Sequence, residues 1–156
     1  MTARIQLHQA KHQDVMKAML GLSAPFEGST LEPTLLELVK YRASQLNGCG
    51  YCIDMHAKDA RHLGETEQRL YLVSVWWEAP MFSDRERAAL AWTDAVTKLE
   101  NQKVPDQVYE QARAQFSEDE LVRLTLAIVS INGWNRFNVA FNTVPGGYKV
   151  GMFKKA

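Results

Sequence analysis

Apolar positions recur along this chain at helical rather than strand spacing. Within residues 31–46, Leu35, Leu38, Val39, Ala43 and Leu46 fall on one stripe of a 3.6-residue period, with Ser29 and Glu32 ahead of it at capping-box spacing. Asn47-Gly48 interrupts the stripe, and the pattern predicts a second helix from about Cys49 to Leu63, with Gly64 at the left-handed position that follows many helices. A third is predicted over 66–77 from Leu70, Val73, Trp76 and Trp77, ending at Ala79-Pro80. Ser83 and Glu86 form another box ahead of Ala89, Trp92, Ala95, Val96 and Leu99, which space as a fourth helix. A shorter helix is predicted over 105–115. Ser117 and Glu120 repeat the box, with Phe116 and Leu121 placed as a hydrophobic staple, and Leu121, Leu124, Ile128 and Ile131 begin the longest helix, reaching Phe141 before Pro145-Gly146-Gly147. Leu72 to Trp76 alternates weakly, but inside a helical pattern. Fixed-period repeats, linkers and low-complexity tracts are absent from the sequence, so the expectation is an all-α single domain over 1–156.

Composition narrows the partners. The 156 residues carry 18 Lys and Arg against 18 Asp and Glu, and 46% are hydrophobic. A neutral balance gives no electrostatic reason to expect nucleic acid or an anionic membrane surface, and weakly favours self-association. The N-terminus lacks the apolar core of a secretory signal. The longest apolar stretch, Leu70 to Trp77, is broken by Ser74 and too short to span a bilayer. A cytoplasmic protein is therefore expected, and there two cysteines three apart read as redox or metal chemistry rather than as a permanent staple.

The chemistry concentrates in one segment, from Glu37 through Cys49, Tyr51 and Cys52 to His56. On a helix, Cys49 and Cys52 stand three apart and Cys52 and His56 four apart, so both pairs share a face. A disulfide needs the two cysteines closer than regular helix places them, and the neighbouring Gly48 and Gly50 permit the tightening. Nucleophilic sulfur chemistry needs a thiolate. The free N–H groups at a helix start favour Cys49, whereas a histidine one turn on favours Cys52, and physics alone leaves the order of the sulfurs open. A hairpin at Asn47-Gly48 would return Glu37 towards His56, to orient it or to share a proton relay.

A Glu, eleven residues, then Cys-x-x-Cys-x-x-x-His resembles the alkylhydroperoxidase AhpD-like group of the carboxymuconolactone decarboxylase family, as does Asn132-Gly-Trp134-Asn135-Arg136-Phe137. The likeness runs roughly from Leu31 to Phe141. It implies a multi-helical AhpD-like domain with the Cys pair at a helix start, and a thiol peroxidase reducing alkyl hydroperoxides. In that chemistry Cys52 attacks the peroxide, Cys49 resolves the resulting sulfenic acid to a disulfide, and Glu37 and His56 relay protons. The resemblance also implies a thioredoxin-like, dihydrolipoyl or other dithiol electron donor and a homo-oligomer, trimer or hexamer. No cofactor or metal is implied. One position departs from the pattern: Tyr51 stands where a histidine precedes the second cysteine, and a phenol titrating near ~10 donates a hydrogen bond but does not shuttle protons at neutral pH.

Other readings fit less well. Zinc could draw on Cys49, Cys52, His56 and His62, but the two histidines are six apart, ~240° around one helix. A c-type haem site needs histidine where Ile53 stands, and a thioredoxin fold needs a strand before the motif. Two inert core thiols, a lactone decarboxylase independent of the cysteines, and a redox-sensing or scaffolding oligomer complete the alternatives. His8, His12 and His62 read as surface residues. Trp76, Trp77, Trp92 and Trp134 read as core or subunit-interface residues, and Lys149, Lys154 and Lys155 as a solvated tail. Asp54, Asp59 and Glu65 receive no role.

Overall fold

The structure, a computed structural model, describes residues 2–7, 9–22, 26 and 29–153. Those residues form seven α-helices and short 3-10 turns and include no strand: α1 (Gln13–Gly21), α2 (Pro33–Leu46), α3 (Gly50–His62), α4 (Glu67–Leu72), α5 (Asp84–Lys98), α6 (Asp106–Gln115) and α7 (Glu118–Ala140). The all-α expectation holds, with the Cys pair at the start of α3. No helix among the described residues is long and apolar enough to cross a membrane.

Helix starts follow local chemistry. Ser83 and Ser117 accept from the N–H groups of Glu86 and Glu120, whose side chains accept in return from the serine N–H groups, so both capping boxes form. The third expected box does not. Glu32 is the N-cap of α2 and makes no side-chain cap bond; Pro33 at the first helical position sets the start four residues after Ser29, out of reach of the expected box. Ser29 instead accepts from the Leu31 N–H. The expected helix over 66–77 is also shorter than its pattern: α4 stops at Leu72, Val73–Val75 tightens into a 3-10 turn, and Trp77 is 51% exposed rather than core. Gly64 closes α3 with φ 97°, as its position implied. Helix α1 was not marked by the pattern, since none of its residues is buried.

The core lies around α2. One side of it packs Leu35, Leu36 and Val39 against Ala89 and Trp92 of α5, Ala112 of α6, and Leu124 and Ile128 of α7. The other packs Leu38 and Tyr41 against Ala60 of α3, Leu70 of α4 and Leu90 of α5. Arg42 of α2 forks onto Asp94 of α5, Nε to Oδ1 at 2.6 Å and Nη2 to Oδ2 at 2.7 Å. Such a bidentate, largely buried pair fixes the angle of α2 as well as its place. A third, smaller cluster joins Ala43, Cys49, Cys52 and Ile131, with Tyr51 and Trp134 against it. The central helix therefore presents its C-terminal half to the cysteine segment.

His12 is half-buried rather than on the surface, with Nε2 enclosed and unpartnered, whereas His62 and Lys149 are exposed. His8, Lys154 and Lys155 lie outside the described residues.

Candidate active site

The α2–α3 connection is a three-residue hinge, Asn47 to Cys49. Asn47 caps α2, Gly48 takes φ 65°, and the Cys49 N–H donates to Ser44 O at 3.0 Å. Only glycine adopts that left-handed turn freely. Cys49 is thereby extended and becomes the N-cap of α3, its Sγ accepting from the Cys52 N–H at 3.4 Å. The two cysteines are joined as a disulfide with Cα atoms 5.4 Å apart, and each is 1% exposed.

The two sulfurs face different surroundings. Cys52 lines a cavity of about 570 Å³ together with Glu37, Tyr51, His56 and Trp134, while Cys49 is not among its walls. Most of the remaining walls are apolar, among them Leu7, Met16, Leu20, Phe26, Val150 and Phe153.

The hairpin brings Glu37 back to His56 as its geometry implied. His56 Nδ1 lies 2.7 Å from Glu37 Oε2, and Lys40 Nζ donates to the other carboxylate oxygen at 2.8 Å. Burial alone would raise the Glu37 carboxyl, but the His56 bond and the nearby Lys40 charge outweigh it and hold the group at about 2. An ionised carboxylate only accepts, so Nδ1 is the protonated nitrogen facing it. In the neutral ring Nε2 then carries the lone pair, and that atom is buried with no partner. The imidazole is thus oriented by one nitrogen and left free at the other. Burial and the charge of Asp54 push the Tyr51 hydroxyl above its usual range, which keeps it a hydrogen-bond donor at the cavity wall.

Five groups expected from the sequence, Glu37, Cys49, Tyr51, Cys52 and His56, therefore come together. Three contributors were missed. Lys40 follows Glu37 by one helical turn, a spacing that could have been read. Asn138 of α7 donates from Nδ2 to Cys52 Sγ at 3.5 Å, from just beyond the Asn132–Phe137 motif. Asp59, given no role, follows His56 by one turn, lines the cavity and accepts from the Tyr148 hydroxyl at 2.8 Å and 3.0 Å. Glu37, His56 and Asp59 also bring ligand-type atoms within 4.8 Å of one another. Both Glu37 oxygens, however, are already engaged by His56 and Lys40.

Comparison with known proteins agrees with the geometry. Residues 12–95 match the carboxymuconolactone decarboxylase family. The uncharacterized protein YdfG of Bacillus subtilis is 42% identical over 125 residues, 80% of this chain and 85% of its own. A crystal structure from Agrobacterium tumefaciens superposes with a TM-score of 0.87 at 42% identity, covering 94% of this chain and all of that one. That protein, ATU0492, is of unknown function and provisionally named an antioxidant defence protein AhpD. The debrominase Bmp8 shares the fold at a TM-score of 0.78 and 19% identity, over 88% of this chain and 74% of its own. With its matched family region, its closely superposable relative and its Cys pair at the head of α3, this chain is an AhpD-like member of the carboxymuconolactone decarboxylase family.

Proposed function

We propose that the protein is a thiol peroxidase that reduces organic hydroperoxides through a Cys49–Cys52 dithiol–disulfide cycle. One observation carries the reading: His56, held at Nδ1 by the ionised Glu37, has a free Nε2 one helical turn from a cysteine that lines an apolar cavity. In the reduced protein Nε2 takes the Cys52 proton, and the thiolate attacks the terminal peroxide oxygen. The O–O bond breaks, the departing alkoxide takes a proton from His56, and Cys52 becomes a sulfenic acid. Cys49 then attacks the Cys52 sulfur, and hydroxide leaves as water with the Cys49 proton. One peroxide and two thiols thus give one alcohol, one water and the disulfide. An external dithiol reopens the disulfide by exchange. The largely apolar walls favour an alkyl or aryl group on the peroxide.

Free-thiol titration of the reduced protein with stoichiometric cumene hydroperoxide tests this. The wild type should lose both thiols to one peroxide, Cys52→Ser should not react, and Cys49→Ser should stop at a sulfenic acid. Thiols that ignore the peroxide over minutes would overturn the reading.

A further inference from the structure

The mechanism above leaves one polar group at the reacting sulfur without a task. We propose that Asn138 is a catalytic residue that donates a hydrogen bond to the Cys52 sulfur and holds it as the thiolate. The inference rests on the peroxidase reading for its purpose, but not for its test.

The geometry fixes which end of the amide faces the sulfur. Asn138 Nδ2 donates to the Trp134 carbonyl at 2.9 Å and to Cys52 Sγ at 3.5 Å. Turning the amide over would set its oxygen against the Trp134 carbonyl oxygen, two acceptors facing each other, so the NH2 end is held towards Cys52. The two sulfurs are therefore served by different donors. Cys49 has the first turn of α3, through the Cys52 N–H, and Cys52 has the side chain of α7.

The value of the contact depends on the state of the sulfur. A disulfide or thiol sulfur is a weak acceptor, whereas a thiolate carries a full charge and takes a charge-assisted bond. The donor therefore favours the thiolate over both, and lowers the thiolate's proton affinity. This complements His56, which takes the proton, by giving the charge left on the sulfur a hydrogen-bond donor of its own. The charged and titratable groups at the same cavity are Glu37 and Lys40 from α2, Tyr51, His56, Asp59 and His62 from α3, and Tyr148 from the C-terminal segment. Among them Lys40 is engaged with Glu37 and Tyr148 with Asp59. Asn138 is thus the group seen bonded to the Cys52 sulfur itself.

The test uses full-length Cys49→Ser, in which Cys52 is the remaining cysteine, and follows its iodoacetamide alkylation rate against pH. Adding Asn138→Leu should raise the midpoint of that profile by about one pH unit and slow alkylation about tenfold at pH values well below the midpoint. Asn138→Ala, which also removes the donor and adds no charge, should raise the midpoint in the same direction and decides the matter if the leucine variant does not fold. A midpoint unmoved in a folded variant overturns the proposal. If wild-type thiols ignore hydroperoxide while the midpoint shifts as stated, the peroxidase reading fails and the Asn138–thiolate bond stands.

Discussion

Replacing Glu37 with glutamine tests the electrostatic premise of the site through stability alone. The Glu37 carboxyl titrates at about 2 in the folded chain against an ordinary 4.5. At about 1.4 kcal/mol per pH unit, that difference corresponds to about 3 kcal/mol of folding free energy. Because the folded value is the lower one, the contribution is present above 4.5 and is lost as pH falls from there towards 2. The side chain is 11% exposed, so solvent screens little of it. Glutamine cannot ionise and has no such contribution at any pH. At pH 5 the variant should be less stable than wild type by about 3 kcal/mol, and by pH 3 about 2 kcal/mol of that gap should have closed. Urea unfolding of both oxidised proteins at the two pH values, followed by far-UV circular dichroism, measures the gap directly. Glu120, held at about 2 by its bond from Arg85 and the Ser117 N–H, titrates in the same window in both proteins and cancels. A gap that stays constant or widens between pH 5 and pH 3 would mean that Glu37 is not the ionised acceptor that orients His56.

Two further perturbations separate the scaffold from the site. Leu124→Ala, at a fully buried position among α2, α5 and α7, should cost about 2–5 kcal/mol in urea unfolding while leaving the Cys52 alkylation profile in place; a loss below about 1 kcal/mol would contradict the packing described. Tyr148→Phe removes both hydrogen bonds to Asp59 and should speed amide deuterium exchange over residues 146–153, with global stability changed by about 1 kcal/mol or less; unchanged exchange there would show that this contact does not hold the segment.

Much of this architecture was legible because the relevant signals are local. The serine boxes at Ser83 and Ser117 announce helices that follow within a residue, Asn47-Gly48 breaks α2 where the stripe stops, and Gly64 takes the left-handed conformation that its place implies. Where local signals competed, one of them won on steric grounds, as Pro33 did over Ser29. Helix α1 escaped notice for a different reason: periodicity reports burial, and α1 buries none of its residues. The run Val73-Ser74-Val75 combines β-branched residues with serine, a weak helical sequence, and there the α-helix gives way despite apolar spacing. Within the site, Glu37, the cysteines and His56 could be joined because one short hairpin relates them. Asn138 and Tyr148 could not, since each reaches its partner across 86 or 89 residues of chain, and an asparagine within a helix looks the same in sequence whether it faces water or sulfur.

Helix α7 carries aliphatic side chains almost all the way round, Leu124, Ile128 and Ile131 inside and Val122, Val129 and Val139 outside. A rod greased on every side has little hydrophobic reason to prefer one rotation or one axial position. Its phase is set instead by amides. Asn47 Nδ2 donates to the Oδ1 atoms of Asn132 and Asn135, each at 2.9 Å, and Asn135, fully buried, donates to Ser44 Oγ at 3.1 Å. Slipping the helix by one residue would strand these groups, at about 1–3 kcal/mol for each one left unpaired. Asn138 comes one turn after Asn135, so the amides that key α7 into the α2 hairpin also aim the donor at Cys52, leaving the outer valines no say in where it points.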